Sequence, residues 1–189
     1  MNEKELIQQL RQGNEPAFRW LVETYRNRVY NTVLNILQDD KEAEDTTQDT
    51  FIQVFESVNS FKEESALSTW IYRIAVRKAL DKIRRRKTRQ KLRQLLPWWM
   101  PGESTSTSEP FHHPGILIEN KEKAAALFKA IQSLPEKQQL AFTLIKVQGM
   151  NYDDACLILQ QNVKAVESLV SRAKVNLQKQ LEGYYKTLK

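Results

Sequence analysis

Apolar residues recur along most of the chain at intervals of three and four, a period that predicts helices rather than strands. From Asn14, a capping residue, the stripe Phe18, Leu21, Val22, Tyr25, Val29, Val33, Ile36 and Leu37 gives one long helix a single buried face. Asp39 with Glu42 three residues on is a capping-box signature. It opens a second helix carrying Ala43, Thr47, Thr50, Phe51, Val54, Phe55 and Val58 inward. Residues 59–65 break the period and read as a loop. Ser68 can then cap a third helix through Ile71, Ile74, Ala75, Ala79 and Ile83.

The period stops again between residues 95 and 115, in a stretch with four of the six prolines and a Ser/Thr tract that cannot build a core. It predicts a flexible linker over residues 94–119. Trp98 and Trp99 within it call for a surface to dock on, either a flanking domain or a partner. Beyond it, residues 120–132 predict a helix with Ala124, Leu127, Phe128 and Ile131 on one side. Ser133, Pro135 and Glu136 then spell a capping box with proline in the first turn, opening a helix that carries Leu140, Ala141, Leu144 and Ile145 and stops at Gly149. Asn151 starts another, with Tyr152, Ala155, Cys156 and Leu159 on one stripe. After the turn at residues 160–163, the last helix turns Val166, Leu169, Val170, Ala173 and Leu177 inward. Lys164, Glu167, Ser168 and Ser171 face outward, flanked by Arg172 and Lys174. Two short helices, a tight turn and a small residue at the crossing form a helix-turn-helix signature. A plain helical hairpin would share the apolar stripes.

Composition supports this reading and narrows the function. With 5 Gly and 6 Pro in 189 residues, tight turns are too few for a many-stranded sheet, and 41% hydrophobic content suffices for real cores. No run of 18 apolar residues exists, and the N-terminus MNEKELIQQL is charged where a signal peptide would be apolar, so a cytoplasmic protein without membrane insertion is expected. Cys156 is the single cysteine, which excludes an intrachain disulfide and predicts a small core residue. His112 and His113 are adjacent in a proline-rich loop and lack the spacing that aims two imidazoles at one metal ion. No phosphate loop, nucleotide-binding glycine motif or nucleophile elbow is present, so neither an enzyme nor a cofactor is expected.

Charge is unevenly placed. Residues 1–81 carry net −4 and residues 94–189 net +2. Residues 82–93 hold Lys82, Arg84, Arg85, Arg86, Lys87, Arg89, Lys91 and Arg93 and no acid, so this segment contributes +8 to a chain of formal charge +6. Trp70 and Tyr72 precede it. Cations release counterions from phosphates and flat aromatics stack on unpaired bases, so the segment points to nucleic acid. A solvated helix end complementing the helix dipole would look similar.

Four blocks of this chain resemble the extracytoplasmic function (ECF) class of bacterial RNA polymerase sigma factors. They are residues 39–55 (DDKEAEDTTQDTFIQVF), 68–86 (STWIYRIAVRKALDKIRRR), 134–144 (LPEKQQLAFTL) and 149–177 (GMNYDDACLILQQNVKAVESLVSRAKVNL), in that order, with the linker between the second and third. The resemblance implies an all-α fold of two small helical domains, a sigma domain two bundle over residues 1–93 and a sigma domain four helix-turn-helix over residues 120–189. It implies that the first block binds core RNA polymerase through Asp40, Glu42, Asp45, Gln48, Asp49 and Phe51, an acidic face with polar and apolar anchors. The minus-ten promoter segment would be met by Phe61, Lys62, Ser65, Ser68, Trp70, Arg73, Arg77, Arg84 and Arg85, the loop selecting a flipped base while cations hold the backbone. For Trp70, burial in the core competes with that role. The minus-35 element would be met by Lys164, Ser168, Ser171, Arg172 and Lys174. Three departures stand out. Arg77 replaces an Asn common in the family, Glu167 and Leu169 stand where basic residues are frequent, and the turn at 160–162 lacks the usual Gly, although Asn tolerates the left-handed conformation.

The expected function is therefore that of an ECF sigma factor that binds core polymerase, recognises promoter DNA as duplex and as melted strand, and assists opening without covalent chemistry. An anti-sigma partner is implied by the resemblance. The competing reading is a helix-turn-helix regulator acting on closed duplex, which needs neither the acidic patch nor the aromatic and cationic segment.

Overall fold

The computed structural model describes residues 2–95 and 121–187. Trp98, Trp99, His112 and His113 fall outside them. Among the described residues the elements are α1 (Glu3–Arg11), α2 (Glu15–Leu37), α3 (Asp40–Ser57), α4 (Leu67–Leu95), α5 (Lys121–Gln132), α6 (Glu136–Phe142), α7 (Tyr152–Leu159) and α8 (Val163–Thr187). A short tight turn of helix at Val58–Ser60 and a widened π-turn at Thr143–Val147 complete the list.

Helix α1 is absent from the sequence reading. It is short, and Leu6, Ile7 and Leu10 are its whole buried stripe. It organises the loop before α4: the Arg11 guanidinium donates to the Phe61 carbonyl at 2.7 Å and pairs with Glu63 at 2.9 Å. Glu63 sits at φ 59, a left-handed conformation that costs an ordinary residue energy and here comes with that ion pair. Glu3 of α1 accepts a hydrogen bond from the Leu67 N–H at 3.1 Å. Helix α4 therefore starts at Leu67 and is capped from another helix, and Ser68 lies inside its first turn instead of capping it.

Asn14, Asp39 and Asn151 cap as the sequence predicts, whereas Ser133, like Ser68, does not. Asn14 accepts from Ala17 N–H at 2.9 Å and Asn151 from Asp154 N–H at 2.8 Å. Asp39 accepts from Glu42 N–H at 2.9 Å, but the Glu42 carboxylate reaches Arg86 at 2.7 Å, so half of the capping box is diverted to another helix. Ser133 makes no cap; its hydroxyl donates to the Ala130 carbonyl at 2.7 Å, and α6 begins after Pro135. At 160–163 the left-handed residue is Gln160, at φ 53, leaving Asn162 to cap α8 through Ala165 N–H at 2.8 Å. Gly149, at φ 66, reverses the chain after the π-turn, as a positive φ allows without a side-chain clash.

The two halves share a core. Residues 32–38, the last turns of α2, are buried without interruption. A helix end buried on every side lies between layers. On one side it meets α3 and α4, on another the π-turn after α6, and α4 in turn packs on α7. One apolar cluster runs from Leu6 through Leu37, Ile71 and Leu144 to Val170, and a smaller one joins Phe128, Ile131 and Leu134 to Ala173 and Leu177. Glutamines stitch the junction. Gln139 donates to the Ile36 carbonyl at 3.2 Å, Gln148 to the Asn31 carbonyl at 3.1 Å, and Gln38 to the Phe128 carbonyl at 2.8 Å. The first satisfies a carbonyl in the last turn of α2.

Candidate polymerase and nucleic-acid surfaces

Asp45, Gln48 and Asp49 stand exposed on α3 beside Glu44. The carboxylates expected next to them are partly engaged: Glu42 pairs with Arg86 at 2.7 Å, Arg86 also lies 3.6 Å from Asp39, and Asp40 accepts from the Tyr30 hydroxyl at 3.2 Å. Phe51 is not the apolar anchor of this face. It is 6% exposed, because it continues the inward stripe of Ala43, Thr47 and Val54. The apolar members are Ile52 and Phe55, 57% and 50% exposed, even though Phe55 belonged to the inward stripe of the sequence reading. Its ring edge meets Phe18 with centroids 5.2 Å apart, which holds it upright. Ile52 was legible in principle, as an apolar residue four positions after Gln48 and off the buried stripe.

Phe61 is likewise a core residue, 4% exposed. Its ring lies against Trp70 with centroids 4.9 Å apart, so it braces Trp70 and is not itself free to stack on a base. Trp70 is half-buried by this contact, as are Ser65 and Ser68, whereas Lys62 is in solvent. Arg73 and Arg77 project one turn apart from α4. Farther along, Arg84 pairs with Glu136 of α6 at 2.9 Å and lies 3.6 Å from Asp81. Arg85, Lys87, Arg89 and Lys91 are exposed and make no ion pair among the described residues.

Helix α8 buries Val166, Val170, Ala173 and Leu177 and leaves Lys164, Ser171, Arg172 and Lys174 exposed. Ser168 is half-buried, and its hydroxyl oxygen accepts from Arg172 Nη2 at 2.8 Å. That bond steadies the guanidinium from one turn away. Val163 and Val175, 42% and 49% exposed, add apolar points that the sequence reading left out, of a kind that meets a thymine methyl in the major groove. Cys156 on α7 is half-buried, and burial pushes its thiol up, with Asp153 and Glu167 adding to the effect.

Helix α4 faces α7 directly. The Thr69 hydroxyl, on a residue only 3% exposed, donates to Asp154 Oδ1 at 2.8 Å. Tyr72, next along, has its phenol pushed up by burial, with a hydrogen bond from Arg28 opposing and Asp154 reinforcing the shift. Arg73 shares an open cleft with Asp153 and Cys156. A second cleft, of about 660 Å³, has Trp70, Arg73 and Arg77 on one wall and Leu140, Leu159 and Leu169 on the other. The structure thus gathers Trp70, Arg73, Arg77 and Arg84 of the expected minus-ten residues on a wall that looks at the second half of the chain, and leaves Ser68 and Arg85 off it.

Residues 21–89 match the family Sigma-70 region 2, and residues 124–177 match the family Sigma-70, region 4; together the matches span well over half of the chain. RNA polymerase sigma-H factor of Pseudomonas aeruginosa is 29% identical over 192 residues, covering 95% of this chain and 94% of that protein. ECF RNA polymerase sigma-E factor of Escherichia coli is 27% identical over 175 residues, covering 92% and 91%. The solved structure of CnrH in complex with the cytosolic domain of CnrY superposes with a TM-score of 0.67 at 21% identity, covering 96% of this chain and 97% of that one. The sigma factor RpoE from Bartonella quintana, in complex with the anti-sigma factor NepR, gives 0.66 at 22% identity, covering 87% and 96%. Both share the fold.

Proposed function

We propose, for a chain that belongs to the sigma-70 family as an ECF-type RNA polymerase sigma factor, that promoter recognition is divided between its halves. Residues 1–93 bind core polymerase through the Asp45, Gln48, Asp49, Ile52 and Phe55 face and take the melted minus-ten strand along Trp70, Arg73 and Arg77. Residues 120–189 read the minus-35 duplex through α8. The observation that carries this is the pairing, in one chain, of an exposed helix-turn-helix reading face with a separate aromatic and cationic helix. A regulator of closed duplex has use for the first alone.

The work is done by binding. A strand captured by cations and an aromatic wall lowers the free energy of the open state relative to the closed duplex, so opening requires no bond to be made or broken. On α8, Arg172 held by Ser168 is pre-oriented for a guanine edge, and Lys164 and Lys174 supply phosphate contacts. Action on promoters places the protein in the cytoplasm, and no helix among the described residues is long and apolar enough to cross a membrane. CnrH and RpoE were each solved with a bound partner, in the second case an anti-sigma factor, and we carry over to this chain an anti-sigma partner of its own.

The test is reconstitution. Core polymerase with the purified chain is expected to open promoters drawn from the source genome, read as permanganate reactivity of unpaired thymines near the start site. Tight binding of duplex by a dimer of the chain alone, with no opening by the holoenzyme on any promoter, would replace this reading with the regulator.

A further inference from the structure

Asp153 and Asp154 form the acidic first turn of α7, and α4 turns Thr69, Tyr72 and Arg73 toward them. A hydroxyl and a guanidinium on one helix face are the groups that hold a nucleic-acid phosphate. Here the hydroxyl is bonded at 2.8 Å to a carboxylate of the same chain. Trp70, between them in sequence, walls the adjacent cleft. We propose that the acidic turn of α7 is an internal stand-in for the strand's phosphates, clasping the strand-capturing face of α4 until the halves part, and that Thr69 is a phosphate-binding residue of that face. This rests on the division of labour proposed above.

The polar bonds across the junction are individually weak. They are glutamine to backbone carbonyl, Thr69 to Asp154 and Arg84 to Glu136, each of which exchanges for water at small net cost. The apolar cluster common to both halves opposes separation, so parting them needs a partner or strand that binds the open form better than the closed one. Asp154 also remains satisfied when Thr69 leaves. Its Oδ2 accepts from Asn151 Nδ2 at 2.7 Å and its N–H donates to Asn151 Oδ1 at 2.8 Å, so the cap of α7 survives in either state. The shared apolar core favours closure, and the clasp decides which surface closure hides.

The free chain, without polymerase, provides the test, with fluorescently labelled single-stranded oligothymidylate as the probe. Asp153→Ser with Asp154→Ser is expected to raise affinity about tenfold, the gain produced when the binding-competent fraction rises from about a tenth to nearly all. Glu23→Ser with Glu122→Ser changes net charge equally but lies at exposed positions of α2 and α5, so an equal gain there would reduce the effect to bulk charge and overturn the proposal. A second variant leaves the clasp intact: Asn31→Cys and Gln148→Cys, in a Cys156→Ala background, flank the junction and can be joined by a short cleavable thiol crosslinker. Joining is expected to weaken oligothymidylate binding and cleavage to restore it. Unchanged binding in both the serine variant and the crosslinked chain overturns the clasp. Promoter opening by wild-type holoenzyme is measured in parallel. If it occurs while these two arms show nothing, the clasp alone falls. If it never occurs, the sigma reading falls, while a tenfold gain still supports an acidic mask over a single-strand site.

Discussion

The two helices that would meet promoter DNA are held in opposite ways. Lys164, Ser171, Arg172 and Lys174 of α8 face solvent, and Arg172 is steadied only by Ser168 of its own helix. On α4, Thr69 is bonded to Asp154, Trp70 is braced by Phe61, Arg84 is paired with Glu136, and Arg73 and Arg77 look across a cleft at the other half. On the proposed reading, duplex is met without rearrangement of this chain, whereas strand capture along α4 needs the halves to move apart. A protein so arranged presents its duplex-reading face first.

The comparison breaks most severely if the halves are not joined. Ile71 and Val166, one from each half, are fully buried in the common cluster, and truncating such a side chain to Ala costs about 2–5 kcal/mol for Ile and somewhat less for Val. Because the cluster is shared, Ile71→Ala is expected to shift a single unfolding transition that includes the second half, seen by calorimetry. Two transitions, with only the first displaced, would mean that α4 is not held by α7.

Next in size are the reading faces themselves. Arg172→Ala is expected to weaken minus-35 discrimination by about 1–3 kcal/mol, measured as holoenzyme binding to promoters altered at single positions. Arg73→Ala with Arg77→Ala should spare that initial duplex binding and reduce opening, with partial rescue by a premelted bubble. Equal loss of duplex binding from both variants would erase the distinction between open and covered faces. Asp45→Lys with Asp49→Lys on α3 should weaken core-polymerase affinity by about 1–2 kcal/mol, as like charges meet across an interface.

What the sequence shows and hides follows the same line. Helix identities, the Asn14 and Asn151 caps and the inward stripe of α8 depend on local spacing, and local spacing is written in the chain. Period and family resemblance disagree at Phe51, which the stripe places inside and the resemblance on a surface; the structure buries it, and buries Phe61 as well. Helix α1, the Glu3 cap of α4, the diversion of Glu42 to Arg86 and the Thr69–Asp154 bond all join residues far apart in sequence. No periodicity encodes which carboxylate a distant cation will find. The run of eight basic residues was therefore counted correctly and valued too simply, since some of its charge is already answered within the chain.

That difference yields the smallest effect, and one that separates the closed state from the open one. Each cation on a phosphate adds about 0.7 to the salt slope for a single strand and about 0.9 for duplex. Arg85 makes no ion pair among the described residues, so Arg85→Gln is expected to lower the slope by about that amount in the free chain and in the holoenzyme alike. Arg86 is neutralised by Asp39 and Glu42, which lie in its own half and travel with it, so Arg86→Gln should change little in either state. Arg84 differs because its nearer partner, Glu136, belongs to the other half, while Asp81 lies at 3.6 Å on its own helix. Opening removes Glu136. Arg84→Gln should then leave the slope of the free chain for oligothymidylate nearly unchanged and lower that of the holoenzyme on promoter DNA by about 0.7–0.9. Equal slopes lost in both states would show Arg84 free throughout, and with it an α4 face that the second half does not cover.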